Sequence, residues 1–247
     1  MPKECAFCPR PADSGEHIWS DWLCRLPPFR NVKVTVRRHL VVEPHVRTWH
    51  QTGMGHKEYT VCNKCNTTWM SQIEDNHAKP CIERMVLSKA PLALHVSCLA
   101  SIAIFTFLKS VVSEHMQRSK PFFSMETRRR FRRTLTLPAI QVWLGCLDTF
   151  EPEYAVNRMK YSFAVSKISH NYRLYAYTWS FGHLVIQMLA SKSRSTHFRK
   201  TFLFLDQPSM AAYLLPIWPP PPQSIAWPPS HHLSHALVDK LTNRFRV

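Results

Sequence analysis

Two close cysteine pairs, CAFC at residues 5–8 and CNKC at residues 62–65, constrain this chain more than any other feature. A two-residue gap lets both sulfurs of a pair turn toward one ion, so Cys5, Cys8, Cys62 and Cys65 form the expected ligand set of a tetrahedral zinc site. The chain opens MPKECAFCPR, without the apolar run of an export signal. A metal site is therefore expected in preference to a disulfide framework, and the chain is expected in the cytoplasm. Cys24, Cys81, Cys98 and Cys146 lack such spacing and are expected to be ordinary buried thiols.

Between the pairs, NVKVTVRRHLVV alternates well enough for a strand or hairpin arm, and DSGEHIWSDWLCRL reads as a turn at Asp13-Ser14-Gly15, a strand end and a short helix through Trp22. The second pair should run into a helix from about Thr67, with Trp69, Met70 and Ile73 on its packed face. Two knuckles, a hairpin between them and a helix after the second follow the logic of a treble-clef zinc finger. An all-thiolate site leaves no open coordination position, so by itself it is structural.

Downstream, Leu92 to Leu108 carries no formal charge. Its length is at the lower edge of what crosses a bilayer, but His95, Ser97, Ser101 and Thr106 interrupt it, which favours a core helix from Pro91 to about Gln117. Ser124 to Arg133 reads as a basic helix and Thr136 to Leu144 as a strand. The aromatic and β-branched runs between 161 and 190 read as antiparallel strands, with another short strand at Phe202 to Leu205. In the tail, two Trp-Pro pairs combine with a four-proline run that should form a stiff strap packing its tryptophans on the domain, ahead of a closing helix carrying Leu237, Leu241 and Phe245. The expected fold class is α+β, with a four-cysteine domain over 1–80 and a basic α+β domain over 81–247.

Glu16-His17 follows the first knuckle closely. A carboxylate beside an imidazole on a strand end can divide labour, one group holding a divalent metal and the other taking a proton from water. Together, CAFC, EHIWSDWL and VCNKCNTTWM resemble the HNH family of ββα-metal nucleases in its four-cysteine zinc-supported forms. They look closer still to a group of uncharacterised bacterial and phage proteins that join such a finger to a second domain, a resemblance that extends to QVWLG, TWSFGHLVIQML and the Trp-Pro tail.

That resemblance implies that Glu16 is the acidic ligand of a catalytic Mg2+ or similar ion, that His17 is the general base, and that Asn66 completes the metal site from the start of the helix. It implies structural zinc at the four cysteines. The chain departs from the pattern at Ser20, where the family usually has proline, and at His56, Lys57 and Glu58, where an Asn is usual. Asn66 also suits a helix cap, His17 a supporting hydrogen bond, and His56 an exposed turn.

A net charge of +16 favours a polyanionic partner, and only +3 of it falls within residues 1–80. Arg128, Arg129, Arg130, Arg132 and Arg133 form the densest basic run and are candidate nucleic-acid contacts, although five arginines over six residues cannot share one helix face. The leading expectation is thus an HNH-like endonuclease acting on nucleic acid, DNA first. A catalytically inactive zinc-finger module binding nucleic acid or protein is the alternative, and no stable membrane insertion is expected.

Overall fold

The computed structural model describes residues 3–30, 33–38, 47–52, 57–115, 121–148, 161–169, 172–192 and 208–243. Within them the chain is a mixed α+β fold in which every strand pairing between named strands is antiparallel. The expected strand at Phe202 to Leu205, and His56, lie outside the described residues.

The first region begins with β1 (Ser14–His17) and α1 (Asp21–Cys24), followed by β2 (Lys33–Arg38), β3 (Arg47–Thr52) and β4 (Lys57–Val61). β2 and β3 pair as the expected hairpin, while β4 returns to pair with β1, with Gly15 opposite Tyr59 and His17 opposite Lys57. The chain then turns at Cys62 into α2 (Asn63–Cys65), earlier than the expected start at Thr67. Asp13 explains the shift, because its Oδ1 accepts from the Asn63 amide at 2.7 Å and so satisfies an open donor of the helix start from across the chain.

From α2 the helical path continues through two π-turns, Asn66–Met70 and Ile73–Ala78, into α3 (Lys79–Leu87). Pro80 brings no amide and crowds the preceding turn, and the wider π spacing ahead of it relieves that conflict. Met70 and Ile73 are buried as expected, and Trp69 packs against the core.

The apolar run of 92–108 differs from expectation at its start. Leu92–Leu94 is a strand, β5, and the helix α4 spans Val96–Glu114. Pro91 therefore precedes a strand rather than opening a helix. β5 finds its partner in the tail strand β11 (Ile225–Trp227), with Leu92 opposite Trp227 and Leu94 opposite Ile225. α4 is long and apolar enough to cross a membrane, yet two thirds of its apolar window is buried inside the molecule. Its buried face includes Thr106, Lys109, Ser110, Ser113 and Glu114, and Tyr175 donates its hydroxyl to the Ser110 carbonyl at 3.0 Å.

α5 (Met125–Thr134) is capped by Ser124, whose hydroxyl accepts from the Thr127 amide, and ends at Leu135 with φ 52°. β6 (Ile140–Cys146), β7 (Tyr161–Ser169), β8 (Tyr172–Phe181), β9 (Leu184–Lys192) and β10 (Leu214–Trp218) build a sheet in the order β10-β6-β9-β8-β7. β6 starts at Ile140, four residues later than expected. Gly182 (φ 57°) makes the β8–β9 turn, where a Cβ would run into the Val86 carbonyl oxygen, so only glycine fits.

The tail follows the strap reading. β10 takes an edge of the sheet, the one position where Pro216 costs no ladder bond, and Trp227 at the end of β11 is buried. A short helix α6 (Pro208–Ala211) precedes it and α7 (His235–Asn243) closes it, with Leu241 buried. One buried cluster runs from Cys5 to Trp227 and joins the cysteine knuckles, α4, α5 and the sheet.

The remaining cysteines need one correction. Cys81 on α3 and Cys98 on α4 are joined by a disulfide across a Cα–Cα distance of 5.7 Å, so only Cys24 and Cys146 are thiols outside the knuckles. The packing of two helices set that pairing, and their sequence spacing carried no sign of it.

Candidate metal centre and flanking basic helix

All four knuckle cysteines are buried, and their sulfurs lie within 4.8 Å of one another. Cys8 Sγ is 3.6 Å from Cys62 Sγ and 3.8 Å from Cys65 Sγ. Four sulfurs at about 2.3 Å from a tetrahedral ion would be separated by about 3.8 Å, so the donor set fits a metal ion such as zinc. Surrounding donors suit thiolates: the Phe7 amide points at Cys5 Sγ and the Arg10 guanidinium at Cys8 Sγ, each at 3.5 Å. The Cys65 thiol is pushed down to about 4, first by its hydrogen bond with Cys5, while Cys5 is pushed up by the same partnership.

Helix α5 is docked directly on the first knuckle. Arg128 is buried and its guanidinium donates to the Ala6 carbonyl at 2.7 Å and to His115 Nε2. Phe131, one turn on, lies 6.4 Å from Phe7, 5.9 Å from Trp69 and 4.7 Å from Phe107 between ring centroids. Burying 128 and 131 turns the opposite side of the helix outward, so Arg129, Arg130 and Arg133 are exposed and Arg132 is half-buried. Four of the five candidate arginines thus reach the surface, and Arg128 acts as the anchor.

The three residues that the resemblance groups as catalytic are placed differently from one another. Glu16 is 5% exposed, and its Oε1 lies 2.5 Å from Lys109 Nζ, which also sits 2.5 Å from Glu74 Oε1 and donates to the His17 carbonyl at 3.0 Å. Burial alone would lower the Lys109 value, but the Glu16 and Glu74 carboxylates hold it above the ordinary lysine range. Burial pushes Glu16 up against the pull of Lys109, and Glu74 adds to the push because one ammonium faces two carboxylates.

Asn66 is half-buried within the helical path, where its Nδ2 donates to Ser14 Oγ at 2.9 Å and the Gly15 carbonyl at 3.3 Å. It ties the helix to β1 and does not cap a helix start, since α2 has already begun.

His17 is half-buried at the end of β1, with Nε2 3.8 Å from Asp21 Oδ1. Burial holds it below the ordinary imidazole value and Lys57 adds to the effect, so it is neutral at neutral pH. Asp21 also lines a cavity of about 470 Å³ with Trp22, Arg25, Glu74, Asp75 and Lys79. Among the described residues, the four cysteines are the one set of three or more His, Cys, Asp or Glu donors gathered around a common point.

Sequence reasoning missed Glu74 and Lys109. The available signal was Lys109 itself, the one formal charge inside the run IAIFTFLKSVV, since a lysine within a core helix requires a buried counter-charge. No protein-family model, no curated protein and no solved structure matches the chain.

Proposed function

We propose that this protein binds nucleic acid, with a treble-clef zinc finger serving as the rigid mount for α5. The observation that carries the reading is the Arg128 bond to Ala6, which fixes the helix to the knuckle and leaves Arg129, Arg130 and Arg133 on the outward side. Guanidinium groups held on a rigid element are pre-ordered for phosphate, so less side-chain entropy is lost on binding. The net charge of +16 supplies the long-range attraction.

Fluorescence anisotropy with labelled duplex DNA across a salt series tests the reading. Losing three phosphate contacts should flatten the dependence of log affinity on log salt by about 3 units in an Arg129→Glu, Arg130→Glu, Arg133→Glu variant. A wild-type protein that fails to bind DNA or RNA at low salt sinks the proposal.

A second reading, hydrolysis of the bound strand in the HNH manner, draws on His17. An imidazole held below its ordinary value, 3.8 Å from the Asp21 carboxylate that lines the cavity with Glu74 and Asp75, suits a general base. Glu16 is committed to Lys109 and Asn66 to β1, so this reading assigns proton removal from water to His17 and no step to a second metal ion. Nicking of supercoiled plasmid by the wild type, abolished in His17→Ala, would support it; equal nicking by both proteins would end it.

A further inference from the structure

Tyr59 is 66% exposed, the most exposed large hydrophobic side chain among the described residues. Its position follows from the β1–β4 register. Gly15 faces Tyr59 and His17 faces Lys57, and side chains alternate along a strand, so Tyr59, Lys57 and His17 stand on one face of the ribbon. The other face carries Glu16, which is turned into the core against Lys109.

Gly15 matters here because it puts no side chain beside the tyrosine ring. The aliphatic part of Lys57 fills that space instead, where a Cβ on Gly15 would come within 3.2 Å of Lys57 Cβ. The ribbon therefore offers an exposed aromatic ring, a lysine about 7 Å along the strand and a neutral imidazole across from it.

We infer that the outer face of the β1–β4 ribbon is a subsite for one unstacked base of a single-stranded nucleic acid, with the base stacking on Tyr59 and Lys57 contacting an adjoining phosphate. An aromatic ring beside a cation is the chemistry of single-strand platforms, and every base has a π-face that such a ring can take. Duplex bases are already stacked on their own neighbours and cannot use it. This inference rests on the nucleic-acid reading and narrows it: α5 grips backbone of either kind, and the ribbon selects the single strand.

The test is anisotropy titration of the full chain with labelled oligothymidylate and with the matching dA·dT duplex. Tyr59→Ala should weaken single-strand binding by about 10- to 100-fold and leave duplex binding unchanged. Tyr59→Phe should retain both, which a loss of folding could not produce. Equal single-strand affinity in wild type and Tyr59→Ala overturns the inference while leaving the α5 reading intact. Equal losses on both probes overturn it too, because the effect would not be base stacking. If the wild type binds neither probe, the parent reading fails and takes the subsite with it.

Discussion

Arg128 donates to the carbonyl of Ala6 at 2.7 Å, across 122 residues of sequence, and so joins the basic helix to the backbone between the first two clustered cysteines. A surface helix is thereby tied to a cysteine knuckle by a buried cation, while its neighbouring arginines stay in solvent.

The first prediction separates these two kinds of arginine. Arg128→Met leaves the Ala6 carbonyl and His115 Nε2 without a donor in a buried setting, and should lower unfolding free energy by about 2–4 kcal/mol. Arg129→Ala, on the outward side, should change it by less than about 0.5 kcal/mol. Urea denaturation followed by circular dichroism reads both, and similar losses at the two positions would contradict the anchor role.

Lys109 leads to the second prediction. Lys109→Met removes the one ammonium between Glu16 and Glu74, leaving two buried or half-buried carboxylates without a counter-charge. Losing one partner of a buried ion pair costs about 3–5 kcal/mol. Adding Glu16→Gln to Lys109→Met should recover part of that loss, because it withdraws one of the two repelling charges. A double variant no more stable than Lys109→Met would show that the cost comes from packing instead.

The metal site makes the third. Protein purified without chelator should carry about one equivalent of zinc, and stripping it should lower the melting temperature and raise the number of thiols that react with Ellman's reagent. The four buried sulfurs converge on one point, so loss of the ion should loosen Phe7 and, through it, the Phe131 face of α5. Metal-free protein that melts unchanged would remove zinc from the account.

These predictions fall on features that the sequence revealed unequally. Cys5, Cys8, Cys62 and Cys65 were readable because ligand chemistry demands a fixed local spacing, and the strap was readable because Trp-Pro pairs leave few conformations. The Leu92–Leu94 strand was not, since its partner Ile225–Trp227 lies far along the chain and an apolar run looks alike as strand or helix. Glu16 shows the same limit in the site. Its neighbour His17 is visible in the sequence, while only the fold brings Lys109 and Glu74 together with it. The Cys81–Cys98 bridge depends likewise on how α3 packs on α4.

The fourth prediction concerns pH and His115. Arg128 can only donate, so His115 Nε2 must accept, which places the ring proton on Nδ1 facing the Val111 carbonyl at 3.1 Å. Burial, Arg128 and Lys3 push its value down to about 4. The folded state therefore binds fewer protons at this ring than the unfolded chain, whose histidine titrates near 6.5. Stability from this group is full above about pH 6.5 and declines as pH falls toward about 4, by up to roughly 3 kcal/mol. His115→Gln keeps a donor and an acceptor but cannot take a proton, so its stability should be flatter across that window. Urea melts of both proteins between pH 7 and pH 4.5 make the comparison. Parallel pH profiles would mean that the decline belongs to other groups, with the half-buried His17 and His183, both also held low by burial, first among them.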